Sequence, residues 1–193
     1  MDLNVDQLAA CTGATLTRAT MWLRPIGAAA DAFEINNPER MACFLAQIGH
    51  ESGGLAFVTE IWGPTPAQAG YQGREDLGNL QPGDGYNFRG RGLIQITGRA
   101  NYRAARDGLR ATQQGVPDFE WLPDTLAQPD WASMSAAWFW FRHGLNDLAD
   151  DSDFETITRR INGGLNGLTH RQALWEAACA QLGAAGGLEA TTP

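Results

Sequence analysis

Residues 37–54 read Asn37-Pro38-Glu39-Arg40-Met41-Ala42-Cys43-Phe44-Leu45-Ala46-Gln47-Ile48-Gly49-His50-Glu51-Ser52-Gly53-Gly54, and this stretch decides the fold. Asn37 supplies a cap, Pro38 the preset first helical position and Glu39 an acid in the first turn, so a helix opens here. Gly53-Gly54 close it. Between them Met41, Phe44, Leu45 and Ile48 fall at i, i+3, i+4 and i+7, the stripe of a helix packed by one face. Three residues beyond Ile48 the stripe reaches Glu51. The spacing thus predicts a carboxylate on the apolar side of a helix, in its last turn; the plainer reading is a partly exposed acid at a helix end.

Outward from this helix the pattern stays helical. Helices are expected over Arg99–Leu109 and from about Asp130 to His143, the latter stopped by Gly144. Two more start at Ser152-Asp153-Phe154-Glu155 and Thr169-His170-Arg171-Gln172, both of capping-box form. Ile161-Asn162-Gly163-Gly164-Leu165-Asn166-Gly167 turns between those two. From Trp62 to Gly92 runs a stretch crowded with Gly, Pro, Gln and Asp, too long for a simple connector and of the kind that forms lids or binding walls. It leads into Leu93-Ile94-Gln95-Ile96-Thr97, a short β-like run in which Gln95 and Thr97 share one face, Ile94 and Ile96 the other. The fold class expected is mainly α: one domain over residues 1–182, then a C-terminal tail, 183–193, expected to fray.

Composition excludes several functions. The 193-residue chain carries a formal charge of −8, and its fourteen basic residues are all Arg. Without a basic cluster, nucleic acid is not an expected partner. No apolar run approaches the roughly 18 residues of a membrane span, so no membrane insertion is expected. The N-terminus has acids where a signal peptide needs positive charge, and the chain is expected to be made in the cytoplasm and to act after release. Cys11, Cys43 and Cys179, odd in number and without a CxxC pair, read as small buried apolar residues. His50-Glu51 lacks the second His of HExxH, and no GxSxG, P-loop or GxGxxG occurs, so neither metal nor cofactor is expected.

What remains is carboxylate chemistry. Cleaving a glycosidic bond needs one carboxyl to protonate the leaving oxygen and another to activate water or attack carbon. For Glu51 the apolar stripe and the negative end of the helix dipole both disfavour the charged form, which suits a proton donor. Glu60, in Phe57-Val58-Thr59-Glu60-Ile61-Trp62, follows the double-glycine turn and is the first candidate partner. Glu75, Asp76 and Asp84 compete. Of the tryptophans, Trp138, Trp140 and Trp175 read as core, and Trp62, beside Glu60, as a platform for a sugar ring.

Cys43 to Gly54, with its HES segment, resembles the family 19 glycoside hydrolases, which include plant-type chitinases and many phage endolysins. Arg89-Gly90-Arg91-Gly92-Leu93-Ile94-Gln95-Ile96-Thr97-Gly98 with Asn101-Tyr102, and the Ile161-Asn162-Gly163-Gly164 turn, resemble that family's later motifs in the same order. The resemblance spans about residues 37–180. It implies a lysozyme-like, two-lobed helical domain with a small β-hairpin and a central groove. Glu51 would be the general acid and Glu60 the general base of an inverting enzyme, with about 6.5–9.5 Å between them for a water. His50, Ser52, Trp62, Gln95, Thr97, Asn101, Tyr102 and Asn162 would contact substrate. Arg171 would pair near the base and favour the charged form of Glu60. This chain departs from the family at Asn166, where plant members carry Glu, and after Glu60, where many relatives read ENLNYS. The substrate expected is bacterial peptidoglycan, cut by a monomeric endolysin or lysozyme released through a holin or a secretion apparatus. Chitin is the alternative, and a catalytically dead sugar-binding relative the second.

Overall fold

The computed structural model describes residues 2–186; of the expected tail, 187–193 lie outside them. Two helices precede the one read above: α1 (Val5–Thr12), with Asn4 and Gln7 in a reciprocal capping box, and α2 (Leu16–Ala32), capped by Thr15. Next comes α3 (Pro38–Glu51), where the Asn37 side chain accepts from the Arg40 N–H and Pro38 stands at the first position. The local signals at 37–39 act as expected. Burial of α3 goes further, because every residue from Met41 to Gly49 is buried, not one stripe alone. Helices pack against it from several sides, which makes it the axis of the core.

The stretch 62–92 is ordered by short helices, α4 (Pro66–Ala69) and α5 (Asp84–Asn87), with a 3-10 turn at Glu75–Leu77 between them. Then follow α6 (Arg99–Arg110), α7 (Pro129–Arg142), α8 (Leu145–Asp150), α9 (Phe154–Asn162) and α10 (Leu168–Leu182). Two starts differ from expectation. The cap of α9 is Asp153, whose side chain accepts from the Thr156 N–H, and Ser152 takes a positive φ instead. α10 begins two residues early, after Gly167 at φ +73°, a left-handed start that carries no side-chain cap.

α10 lies along α3, α2 along α7, and α1 contacts α2, α3 and α10. The α1–α3 approach is set at Gly49, where a Cβ would stand 2.7 Å from the Thr12 carbonyl oxygen. Trp140, fully buried, meets Phe44 edge-on at 5.4 Å and donates to Asn146 Oδ1 at 2.8 Å; such an aromatic pair adds about 0.5–1.5 kcal/mol beyond its area. The thiols of Cys11, Cys43 and Cys179 are free and buried, and burial pushes the Cys11 thiol up to about 12 and the Cys179 thiol up to about 11.

The β element is smaller than a hairpin of full strands. Thr59 pairs with Arg91, and Arg91 with Ile96, as isolated antiparallel bridges. Residues 92–95 form the turn between, so the run at 93–97 is turn first and extended only at its end. The division of faces still holds: Ile94 and Ile96 are buried, while Gln95 and Thr97 point outward. No described helix is long and apolar enough to cross a membrane.

Candidate active site

Because α10 lies along α3, the first turns of one helix meet the last turn of the other. Arg171, 2% exposed, donates from Nη2 to Glu51 Oε1 at 2.5 Å and from Nη1 to Gln47 Oε1 at 2.6 Å. Its Nε donates to the Asn166 carbonyl at 3.2 Å, and Gln47 in turn donates to Thr158 Oγ1 at 2.8 Å. A buried guanidinium is tolerable only when paired and hydrogen-bonded in this way. Arg171 is therefore the partner of Glu51 and not of Glu60, contrary to expectation. At position 166 it is the backbone carbonyl that meets Arg171. The guanidinium gives the Glu51 carboxyl a charge partner within its apolar surroundings.

His50 stands on the same helix end. Its Nδ1 lies 2.8 Å from His170 Nδ1, and its ring fits over Gly167, where a Cβ would be 2.3 Å from Cε1. Burial first, and the Arg171 charge second, push the His50 pKa down. Ser52 does not face a substrate: it is fully buried, donates to the Ile48 carbonyl at 2.6 Å and accepts from the Leu55 N–H at 2.9 Å. It closes α3 by satisfying backbone groups that the helix end leaves free.

Glu60 is held separately. Oε2 accepts from the Gly90 N–H at 3.0 Å, and Oε1 from Gln68 Nε2 at 3.0 Å and from the Tyr71 hydroxyl at 3.2 Å. Its own N–H donates to the Gly90 carbonyl at 2.8 Å. Three donors thus fix both oxygens of this carboxyl in place. Burial, followed by the Glu60 charge, pushes the Tyr71 hydroxyl up, so it remains a donor. Gln68 owes its position to a second role, accepting from the Gly63 and Thr65 N–H groups in the capping box of α4.

Gly90 also joins Glu60 to the expected sugar-binding side chains. A Cβ there would lie 2.3 Å from Gln95 Oε1 and 3.2 Å from Thr97 Oγ1. Asn101 is tied to the same place, donating to the Thr97 carbonyl at 2.7 Å. Gln95, Thr97 and Asn101 line a cleft of about 210 Å³ whose far side is Trp138, Arg142 and His143. Trp138 is thus a half-buried cleft wall and not core as expected. Trp62, half-buried, packs at 5.4 Å edge-on to Tyr86 and 6.2 Å from Tyr71, the Glu60 donor. Asn162 ends α9 with its side-chain nitrogen buried and unpartnered. Tyr102, by contrast, is fully buried: it donates to the Arg89 carbonyl at 2.6 Å and accepts from Arg91 Nη1 at 2.8 Å, a brace beneath the motif and not a substrate contact.

The competing acids have other tasks. Asp84, 1% exposed, takes a two-point ion pair from Arg99 at 2.5 and 2.9 Å. Asp76 pairs with Arg74, and Glu75 is exposed. Two clusters remain, Glu51 with Arg171, His50 and His170, and Glu60 with Gly90, Gln68 and Tyr71. Among the described residues, no hydrogen-bond partner is common to both carboxylates. Sequence reasoning passed over Gln47 and Gln68, though each left a trace. Gln47 is a polar residue four before Glu51, and Thr65-Pro66-Ala67-Gln68 has capping-box form. Nothing local marked Tyr71, Arg142 or His143.

No family model matches the chain. A glycosyl hydrolase family 19 domain-containing protein of Haemophilus influenzae is 36% identical over 168 residues, 73% of this chain and 79% of that protein. An Arabidopsis thaliana endochitinase is 38% identical over 125 residues, 64% of this chain, which spans only 39% of that relative. Chitinase C from Streptomyces griseus has the same fold, with a TM-score of 0.70 at 21% identity over 93% of this chain and 76% of its own.

Proposed function

The chain belongs to glycoside hydrolase family 19, and we propose that it hydrolyses the β-1,4 bonds of bacterial peptidoglycan, a polymer of N-acetylated amino sugars, with inversion. The protein is a glycoside hydrolase; substrate and residue roles are our reading. Glu51 gives its proton to the glycosidic oxygen as the bond to the anomeric carbon breaks, and Arg171 stabilises the carboxylate left behind. Glu60 takes a proton from a water that attacks the anomeric carbon from the opposite face. Gln95, Thr97 and Asn101 hold the acetamido sugar, with Asn162 and Trp62 as further contacts.

One observation carries this: two carboxyls held by separate networks, one on a guanidinium and the other on three neutral donors. A glycoside hydrolase needs two carboxyls in different roles, and separate networks let each be tuned on its own. The buried free thiols support synthesis in a reducing compartment, as for an endolysin or an effector that reaches the wall after release. A second reading, chitin hydrolysis, is favoured by the Arabidopsis relative, an endochitinase.

The test offers the purified chain peptidoglycan sacculi and chitin oligosaccharides beside Glu51→Gln and Glu60→Gln. Each substitution should lower the rate by about 10²–10⁴-fold, the usual share of general acid–base catalysis. Clearing by Glu51→Gln at the unsubstituted rate would sink the assignment. Mass spectrometry of the fragments tells a muramidase, which leaves reducing N-acetylmuramic acid, from a glucosaminidase.

A further inference from the structure

The cleft lined by Gln95, Thr97 and Asn101 ends on the last turn of α7, and the fixed charge on that wall is the Arg142 guanidinium. Arg142 and His143 stand there, both exposed, and no carboxylate lines the cleft. The Arg142 guanidinium lies 5.2 Å over the Trp138 ring, and among the described residues it makes no ion pair. A second guanidinium braces this helix end: Arg160 Nη1 donates to the His143 carbonyl at 2.7 Å, while its charge acts on Asp153. In a chain of net charge −8, an arginine without an ion-pair partner among the described residues, in a cleft lined by no carboxylate, runs against the overall balance. A cation in the last turn complements the helix dipole. That accounts for a cation on α7, but not for its place opposite Gln95 and Thr97.

We propose that Arg142 determines specificity by binding the carboxylate borne on the O3 substituent of a muramyl sugar, a group that chitin lacks. The inference rests on the peptidoglycan reading. A guanidinium offers a planar fork of donors that matches a carboxylate with two parallel bonds, and it keeps its charge at any working pH. The Trp138 ring beneath limits the swing of the fork. In strands stripped of peptide the carboxylate is that of the lactyl group. Where a stem peptide is attached, the lactyl carboxyl is an amide, and the charge comes from the peptide.

The experiment measures kcat/KM for the full chain and for Arg142→Gln on two substrates, peptide-free glycan strands and intact peptidoglycan. Each is also supplied with its carboxyls capped as neutral amides. Arg142→Gln should lose about tenfold on uncapped substrate, with the loss shrinking to within twofold after capping, and Arg142→Lys should recover part of it. A loss confined to intact peptidoglycan identifies the peptide carboxylates as the source; a loss on stripped strands identifies the lactyl group. An equal loss on capped and uncapped substrate, or none on either, overturns the role of Arg142 while leaving the peptidoglycan reading intact. If the unsubstituted chain cleaves none of these substrates, that reading fails, and this inference with it.

Discussion

Arg171 reaches Glu51 across 120 residues of sequence, with Nη2 2.5 Å from Oε1, and it does so from a side chain only 2% exposed. The same guanidinium fixes Gln47, so one residue sets the acid and the axis helix that carries it.

Removing that guanidinium should therefore cost both activity and stability. Arg171→Ala leaves Gln47 Oε1 without its donor and Glu51 without its charge partner, and breaking such a pair costs about 3–5 kcal/mol when fully buried. Glu51 is 22% exposed, which places the loss nearer the low end. Arg171→Lys keeps the charge but cannot reach Gln47, Glu51 and the Asn166 carbonyl at once. Urea unfolding should rank the unsubstituted chain above Arg171→Lys and that above Arg171→Ala. Equal midpoints for the two variants would contradict the need for a fork.

The histidine pair predicts an acid limit. With Nδ1 facing Nδ1 at 2.8 Å, one ring donates and the other accepts; once both are protonated, both nitrogens are donors and the bond is lost beside Arg171. His50 has its pKa lowered from the ordinary 6.5 by burial and by Arg171, with His170 adding to this and Glu51 opposing it. A lowered histidine contributes stability that is full above the unfolded value of 6.5 and is lost as pH falls through the folded value. NMR titration of the His50 ring should find its midpoint below 6.5, with thermal stability falling over the same range. A midpoint above 6.5 would mean that Glu51 outweighs burial and Arg171 together.

How far the sequence reaches can be seen at α3. Asn37, Pro38 and the two glycines act within one turn of where they stand, so the limits of this helix and the place of Glu51 were legible. The caps fall at Asp153 and Gly167 in place of Ser152 and Thr169, because Ser152 and Asp153 stand side by side as possible caps and a glycine cap such as Gly167 carries no side-chain signal. Gln95 and Thr97 were legible as one face because alternation is local. The partner of Arg171 was not, since helix packing and no local spacing brings residue 171 to residue 51. Ser52 and Tyr102 failed for another reason: a polar side chain beside a motif reads alike whether it turns to a ligand or to backbone carbonyls.

The wall formed by residues 62–92 should depend on Asp84. Burial, the largest influence, raises its carboxyl pKa, but the Arg99 guanidinium with the Gln81 and Leu80 N–H groups holds it below the ordinary 3.8. Stability from this group is present above the unfolded value and is lost as pH falls through the folded one. Asp84→Asn removes the charge from a bond to a guanidinium and should cost about 1.5–3 kcal/mol. The loss is measured by urea unfolding at pH 7, where the carboxylate is fully ionised. A variant as stable as the unsubstituted chain would show that α5 and Arg99 hold without the ion pair.

Two glycines separate what the site needs from what the fold needs. At Gly49 an added Cβ would meet the Thr12 backbone, its oxygen at 2.7 Å, and neither helix can give way without moving the other. Gly49→Ala should cost about 1–3 kcal/mol, as overpacking of a close core contact does. At Gly90 the nearest obstacle, at 2.3 Å, is Gln95 Oε1, the end of a flexible and exposed side chain that can swing aside. The fold should tolerate Gly90→Ala, but Gln95 must leave the position next to Thr97. The expected result is an unfolding midpoint close to that of the unsubstituted chain together with a several-fold rise in KM on a soluble N-acetylated oligosaccharide. If Gly90→Ala unfolds as readily as Gly49→Ala, the backbone at Gly90, held to Glu60 by N–H and carbonyl alike, is part of the structural frame and not only of the sugar-binding face.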